Sequence, residues 1–140
     1  MASLEKKSFD NPDETKTPDK TLAQTVNFGT VAATKITAQP GWSWSGCIKP
    51  HVGGDSCQAG HVGMVSKGTI RVKHDDGTEI VLTAGDAYSL APGHDAWVEG
   101  GGAVEIYEFN NTGKLTQFGN KPKDHTAVCD SLSMLLITSR

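Results

Sequence analysis

The chain has 140 residues, enough for one domain with its own hydrophobic core and too few for two ordinary domains. Its formal net charge is −3 and it has no cluster of basic residues. It therefore lacks the positively charged surface that binds nucleic acid or an anionic membrane. No apolar run approaches the length of about 20 residues that crosses a bilayer. The charged first residues lack the apolar core of a secretory signal, so we expect a cytoplasmic protein.

The cysteines indicate the same compartment. Cys47, Cys57 and Cys129 are odd in number and stand at unrelated spacings, which argues against a disulfide framework. We therefore expect reduced thiols.

Composition divides the chain into three parts. Residues 1–20 are polar and carry Pro12 and Pro18, so they cannot bury enough surface to fold alone, and they form an arm that docks on the domain or stays mobile. Residues 21–110 carry the strand signals of the domain. Residues 111–140 are a C-terminal extension whose apolar stretch, 126–138, is compatible with a short helix, an edge strand or a segment exchanged with a second subunit.

Turn residues and alternating apolar residues predict an all-β domain. Between residues 21 and 45, strand-forming residues interrupted by Gly29 and by Pro40-Gly41 predict two or three strands. Further strands are predicted at 62–66, 69–74, 78–83, 87–91, 96–99 and 103–109. No ten-residue stretch before residue 120 has a helical period. Short antiparallel hairpins of this kind pack as a sandwich or a small barrel with a cavity between the sheets.

The stretch from residue 53 to residue 68 contains the candidate metal ligands. Residues two apart in a strand point to the same side, so Asp55 and Cys57 are expected to face one cavity. A turn near Ala59-Gly60 would begin the next strand at His61, which can face the same cavity. A carboxylate, a thiol and an imidazole in one hairpin form a plausible set of ligands for a transition metal.

Each candidate also has a purely structural interpretation. Cys57 is compatible with a small buried thiol and His61 with a hydrogen bond inside the barrel. Asp55 follows two glycines, where an Asp that caps a turn is common. His94 follows a Pro-Gly turn, where a histidine that faces solvent is common. Tyr88 is expected either to pack in the core or to point its hydroxyl into the cavity as a candidate for proton transfer.

Two motifs resemble those of the cupin family, small jelly-roll β-barrels. The first family motif is H-x-H, three or four residues, E, six residues, G. In this chain Asp55, Cys57, His61 and Gly68 have that spacing with the ligand types exchanged. The second motif, G, five residues, P-x-G-x-x-H, is matched in part by GDAYSLAPGHDAW, where the expected histidine falls on Ala96. Other stretches, such as PGWSWS and PGHDAWV, are similar to a subfamily of small bacterial single-domain cupins.

The resemblance implies a cupin-type barrel from about residue 8 to residue 109, with a metal at its centre. His94 lies two residues before the position of the family's histidine, so it joins Cys57, His61 and Asp55 as a candidate ligand. A thiolate with imidazoles favours zinc, with iron second. The resemblance also implies a homodimer, in agreement with the apolar tail, since closed dimers are the commonest assembly.

The resemblance does not specify one reaction, because cupins include many kinds of enzymes and binding proteins. We expect a metal-dependent enzyme that acts on a small polar molecule, with its catalytic residues unassigned. The alternative is a non-catalytic cupin that binds or senses a small ligand. A metal-free barrel used for assembly is a third possibility.

Overall fold

The computed structural model describes residues 3–110. The predicted C-terminal extension, with its apolar stretch and Cys129, lies outside the described residues. Within the described range, no helix is long and apolar enough to cross a membrane.

The described part of the chain is mostly β-strand. Its strands are β1 (Glu14–Lys16), β2 (Thr21–Asn27), β3 (Ala32–Ala38), β4 (His61–Lys67), β5 (Thr69–His74), β6 (Glu79–Thr83), β7 (Ala87–Leu90), β8 (His94–Glu99) and β9 (Val104–Asn110). They form two sheets, one with the order β1-β2-β3-β9-β4-β7 and one with the order β6-β5-β8, and all pairs are antiparallel. The all-β prediction is therefore confirmed.

Alternation along the strands places the core between the two sheets. In β5, Ile70 and Val72 are buried, whereas Lys73 on the opposite face is exposed. In β4, Val65 is fully buried and Val62 is exposed by the same alternation. Each large apolar side chain buried in this way contributes about 1.5–3 kcal/mol. The main core cluster contains Ala38, Val65, Ile70, Val72, Leu82, Tyr88, Ala96, Val98, Val104 and Ile106.

A short helical segment interrupts the strands where none was predicted. A π-helical turn covers Trp44–Ile48 and leads into the helix α1, Lys49–Val52. The hydroxyl of Ser43 accepts a hydrogen bond from the N–H of Gly46 at 2.9 Å, which caps the turn. Pro50 lies at the start of α1, where its missing N–H is not needed. The segment is too short to show a period in the sequence.

The described residues of the predicted N-terminal arm lie against the six-stranded sheet. The ring of Phe9 packs edge-on against Tyr107, with 5.4 Å between centroids. The side chain of Gln24 donates to the carbonyl oxygen of Phe9 at 3.0 Å, and Asp13 accepts from the N–H of Asn27 at 2.7 Å. These contacts hold the arm against the sheet, and β1, which lies within the arm, pairs with β2 and forms the edge strand.

Candidate metal centre

Three predicted ligands come together between the sheets. One ligand atom from each of Cys57, His61 and His94 lies within 4.8 Å of the other two. All three side chains are buried, with exposures of 1%, 8% and 4%. Among the described residues, no other group of three or more His, Cys, Asp or Glu side chains has ligand atoms arranged in this way.

The backbone determines how the three side chains converge. His61 begins β4 and pairs with Leu90 of β7, as the predicted turn near Ala59-Gly60 requires. His94 begins β8, two residues earlier than the predicted strand, so the Pro-Gly turn directs it inward and not toward solvent. Cys57 lies in a loop that forms a bridge to β8. Its N–H donates to the carbonyl oxygen of His94 at 2.7 Å, and the N–H of His94 donates back at 3.1 Å.

Both imidazole rings are oriented through their Nδ1 atoms. His61 Nδ1 lies 3.0 Å from Glu108 Oε1, and His94 Nδ1 lies 2.8 Å from the carbonyl oxygen of Ala91. A carbonyl or carboxylate oxygen accepts a hydrogen bond, so each Nδ1 carries a hydrogen and each Nε2 is the possible ligand atom. His61 Nε2 is 3.5 Å from Cys57 Sγ. This arrangement is typical of histidines that bind metals.

A buried carboxylate connects His61 to a tyrosine. Glu108 Oε2 accepts a hydrogen bond from the Tyr88 hydroxyl at 2.6 Å, while its Oε1 faces His61. Glu108 was not among the predicted site residues, although the alternation in β9 carries a signal for it. Val104 and Ile106 face the core, and Glu108 occupies the next position on that apolar face. A carboxylate at such a position requires a partner.

A glycine creates the space for this contact. Gly63 lies between Tyr88 of β7 and Glu108 of β9 in the strand register. A Cβ atom at Gly63 would collide with the carbonyl oxygen of Tyr107 and would lie 2.9 Å from the Tyr88 hydroxyl and 3.0 Å from Glu108 Cγ. Because Gly63 has no side chain, Tyr88 and Glu108 can contact each other across it.

The cluster shifts the pKa values of its members. Burial alone would raise the pKa of the Cys57 thiol, but hydrogen bonds with His61 and His94 lower it to about 6. Burial opposes the charged form of His61, whereas the charge of Glu108 and the contact with Cys57 raise its pKa to about 10. Burial and the neighbouring Glu108 raise the pKa of Tyr88, so its hydroxyl keeps its proton. These shifts favour a Cys57 thiolate beside a His61 imidazolium when no metal is bound. The hydrogen on His61 Nε2 must then leave before that nitrogen can bind a metal.

Asp55, the fourth predicted ligand, is exposed and lies outside this cluster. Gly53 and Gly54 both have positive φ, at 80° and 88°, so the chain bends just before Asp55. Residues 53–55 are not in a strand, and the rule that residues two apart share a face does not apply there. Within the described residues, Cys47 and Cys57 form no disulfide. Cys47 packs in the same buried cluster as Cys57 but is not part of the ligand group, and its Sγ lies 3.8 Å from Asp19 Oδ2.

A cavity of about 80 Å³ adjoins the centre. Cys57, His61, His94, Tyr88 and Glu108 all contribute to its lining. Most of the remaining lining is apolar and comes from both sheets and from the helical segment: Pro18, Ala23, Ile36, Ala38, Trp42, Trp44, Ile48, Ile70, Val72, Leu82, Leu90, Ala96 and Ile106, together with Thr21.

Comparison with known proteins identifies the fold. No family model and no curated protein matches the sequence. A sugar phosphate isomerase of the cupin superfamily from Silicibacter pomeroyi is similar in structure, with a TM-score of 0.56 and 14% identity over 75% of this chain and 74% of the other. A protein of unknown function from Rhizobium leguminosarum has a TM-score of 0.55 and 16% identity over 77% of this chain and 97% of the other.

KdgF from a Halomonas species has a TM-score of 0.50 and 18% identity over 66% of this chain and 82% of the other. The structural similarity establishes the fold, whereas identities this low leave the reaction open. The resemblance in the two sequence motifs and the arrangement of the two sheets agree. The chain therefore has the jelly-roll fold of the cupin superfamily.

Proposed function

We propose that Cys57, His61 and His94 bind one zinc ion and that the protein is a metal-dependent enzyme for a small molecule held in the cavity. The observation that supports this most directly is the orientation of the two imidazoles. Glu108 and the Ala91 carbonyl occupy the Nδ1 atoms, so both Nε2 atoms remain available beside the thiol.

The donor set and its spacing fit zinc. Zinc binds thiolate sulfur at about 2.3 Å and imidazole nitrogen at about 2.0–2.1 Å in a tetrahedral arrangement, which places a sulfur and a nitrogen ligand about 3.5 Å apart. The distance between Cys57 Sγ and His61 Nε2 is 3.5 Å. The other ligand atoms, within 4.8 Å, need only a small closing movement. Iron is the second candidate, because a thiolate ligand favours zinc, the softer of the two ions.

The number of ligands favours catalysis over a structural role. Zinc sites with three protein ligands keep a fourth position open, whereas structural sites are closed by four. Because Asp55 is exposed, it does not close this one. When bound, the ion would supply Lewis acidity to a ligand oxygen. Glu108 orients His61, and the Tyr88 hydroxyl keeps its proton and donates a hydrogen bond to the Glu108 carboxylate. The apolar walls limit the access of water, which strengthens the electrostatic interactions inside the cavity.

A ligand-binding or sensory cupin is the second candidate, and one observation favours it. Glu108 accepts hydrogen bonds from both Tyr88 and His61. Apart from this connected group and the candidate ligands, the described lining has no titratable side chain that could act as a separate acid or base. Turnover assays with a panel of small molecules discriminate the two functions, because a binding module shows thermal shifts without product.

Elemental analysis tests the metal centre. Untagged protein purified without chelator is compared by inductively coupled plasma mass spectrometry with Cys57→Ala, His61→Ala and the control Cys47→Ala, which removes a buried thiol outside the ligand group. We expect near-stoichiometric zinc in the wild type and the control, and none in the other two variants. A folded wild type that contains no metal and takes up none would contradict the proposal. Stoichiometric iron in the wild type would support the metal centre but identify iron, and not zinc, as its metal.

A further inference from the structure

Two of the three candidate ligands depend on a backbone contact that is not part of a strand ladder. Cys57 lies in a loop and His94 follows the turn Pro92-Gly93, and the two residues form an isolated bridge. The carbonyl oxygen of Cys57 accepts from the N–H groups of Gly93, at 2.6 Å, and of His94, at 3.1 Å. The spacing between the thiol and this imidazole therefore depends on the groups that hold the loop and the turn against the barrel.

Asp75, the residue just after β5, contacts both the loop and the turn. Its N–H donates to the carbonyl oxygen of Gly93 at 2.7 Å. Its Oδ2 accepts a hydrogen bond from the hydroxyl of Ser56 at 2.8 Å. Ser56 is only 4% exposed and directly precedes Cys57, and a buried hydroxyl needs such a partner. One aspartate therefore connects both sides of the bridge to the end of β5.

His74, the last residue of β5, holds the same turn through its side chain. Its Nε2 donates to the carbonyl oxygen of Pro92 at 2.8 Å, because a carbonyl oxygen can only accept, and its Nδ1 lies 3.0 Å from the N–H of Asp76. His74 is also the register partner of His94 in β8. The turn begins after Ala91, whose carbonyl oxygen orients His94 Nδ1. A shift of the turn would therefore move both the ligand and the group that orients it.

Gly93 allows the turn to pack directly on these two side chains. Its φ of 100° lies in the left-handed region, which residues with a side chain rarely adopt. A Cβ atom at Gly93 would lie 3.1 Å from Asp75 Oδ2 and 3.3 Å from His74 Nε2. Because Gly93 has no side chain, the backbone of the turn comes within reach of both residues.

The contacts of Asp75 differ from those of an ordinary turn residue. Asp76, the next residue of the same hairpin, accepts from the N–H of Thr78 at 2.8 Å, which is the usual role of an aspartate in a turn. Asp75 instead contacts Ser56, which is 19 positions away in the sequence. A local cap stabilises its own turn, whereas this longer contact acts on the segment that carries a candidate ligand.

We propose that His74 and Asp75 are positioning residues for the metal centre, and that they hold Cys57 and His94 at the separation that one ion requires. This inference rests on the metal-dependent function proposed above. Neither residue belongs to the ligand group or lines the cavity, so both act through the loop and the turn that carry the ligands. Contacts around a metal site tune its affinity because they fix the ligands before the ion binds.

Asp75→Ala and Asp75→Asn test the carboxylate. Alanine removes the acceptor of the Ser56 hydroxyl, whereas asparagine keeps an oxygen that can accept it. We expect Asp75→Ala to weaken zinc binding about three- to tenfold, the equivalent of one hydrogen bond, and Asp75→Asn to restore most of the affinity. Competition with a chromophoric chelator measures the affinity. In cobalt-loaded protein, the thiolate-to-metal charge-transfer band should lose intensity in the alanine variant.

Asp86→Ala is the matched control. The Asp86 carboxylate accepts from the hydroxyl of Thr83 at 3.2 Å and from its N–H at 2.8 Å, in a turn that contacts neither the loop nor the turn of the ligands. We expect both alanine variants to lower the free energy of unfolding in urea, and only Asp75→Ala to change the zinc affinity and the cobalt spectrum. Wild-type values in Asp75→Ala, or an equal loss in Asp86→Ala, would overturn the proposal.

His74→Ala and His74→Gln test the second contact. Glutamine keeps an N–H that can donate to the carbonyl oxygen of Pro92, and alanine does not. We expect His74→Ala to weaken zinc binding about three- to tenfold and His74→Gln to bind more tightly than His74→Ala. Wild-type affinity in His74→Ala would refute the role of this histidine.

Hydrogen exchange in metal-free protein, followed by NMR, separates this inference from the proposed function. We expect the amides of Cys57 and Gly93 to exchange about three- to tenfold faster in Asp75→Ala than in the wild type, while the amides of β2 and β3 stay unchanged. Protein that binds zinc, with unchanged exchange and affinity in the variant, would retain the metal centre and refute the positioning role. Protein that never binds metal, yet shows the faster exchange, would refute the metalloenzyme and support the role of Asp75 in holding the bridge.

Discussion

Glu108 orients His61 from a strand that is distant in the sequence, 47 residues further along the chain. Its carboxylate holds the Nδ1 hydrogen of the imidazole and increases the basicity of the ligand nitrogen. We predict that Glu108→Gln weakens zinc binding by about 10–100-fold, the usual effect of losing such a partner. Competition with a chromophoric chelator measures the affinity.

Glu105→Gln is the control for Glu108→Gln, because Glu105 lies on the same strand, is only half-buried and contacts Ser66 and Lys35. We expect the control to bind zinc like the wild type. Equal loss in both variants would show that the effect comes from β9 as a whole and not from the contact with His61.

The protonation of the centre predicts proton release on metal binding. With a pKa of about 10, His61 is protonated at neutral pH, whereas Cys57, with a pKa of about 6, is mostly ionised. Zinc requires both ligands without their protons. We therefore expect about one proton released per ion at neutral pH and a value that approaches two below the pKa of Cys57.

Titration with zinc in weakly buffered solution under a pH-stat measures the released protons. The number released should fall toward zero as the pH rises above the pKa of His61. The assigned protonation states would be contradicted if the number of protons released below the pKa of Cys57 equalled the number released between the two pKa values.

At the scale of elements, alternation and turn glycines predict much of the barrel. The strand expected at 69–74 is β5 at Thr69–His74, and Gly68 closes the predicted turn with φ of 85°. The segment Trp44–Val52 could not be predicted, because its two helical pieces together span nine residues and are held by a local cap and by packing of Trp44. Such tertiary contacts leave no period in the sequence.

The site was predictable where it depends on local spacing. His61 follows a turn and begins β4 as expected, whereas the position of Asp55 depends on two consecutive glycines with positive φ. The burial of His94 depends on its bridge to Cys57, a contact between residues 37 positions apart. Long-range pairs of this kind cannot be read from one sequence, although Glu108 on an apolar strand face gave a usable signal.

Gly63 provides the prediction at this scale. We expect Gly63→Ala to destabilise the protein by about 1–3 kcal/mol, the usual cost of overpacking a core, because its methyl group meets the backbone of β9 and the hydroxyl of Tyr88. Urea unfolding followed by circular dichroism measures the change. Gly101→Ala is the control, since a Cβ there meets open space. Similar stability of the two variants would contradict the close approach of Tyr88 and Glu108.

At the scale of the whole molecule, the expected homodimer remains a prediction, and the outer face of the six-stranded sheet is a surface that could form it. Val62, Met64 and Phe109 are apolar and exposed by 59%, 38% and 54%. Gly63 pairs with Glu108, so Val62 and Phe109 are neighbours on the outer face. Contiguous apolar patches often mark interfaces, and closed pairs are the commonest assembly.

Sedimentation velocity tests this surface. We expect Met64→Lys to shift the protein from dimer toward monomer, while Val81→Lys, at an equally exposed apolar residue of the three-stranded sheet, leaves the dimer intact. A wild type that sediments as a monomer would contradict the prediction of a dimer.

The ligands of the centre belong to different sheets. His61 is on β4 of the six-stranded sheet, whereas His94 is on β8 of the three-stranded sheet, with Cys57 bridged to it. A bound ion would therefore act as a cross-link between the two halves of the barrel, and zinc at 100 times its Kd would stabilise the folded state by about 2.7 kcal/mol.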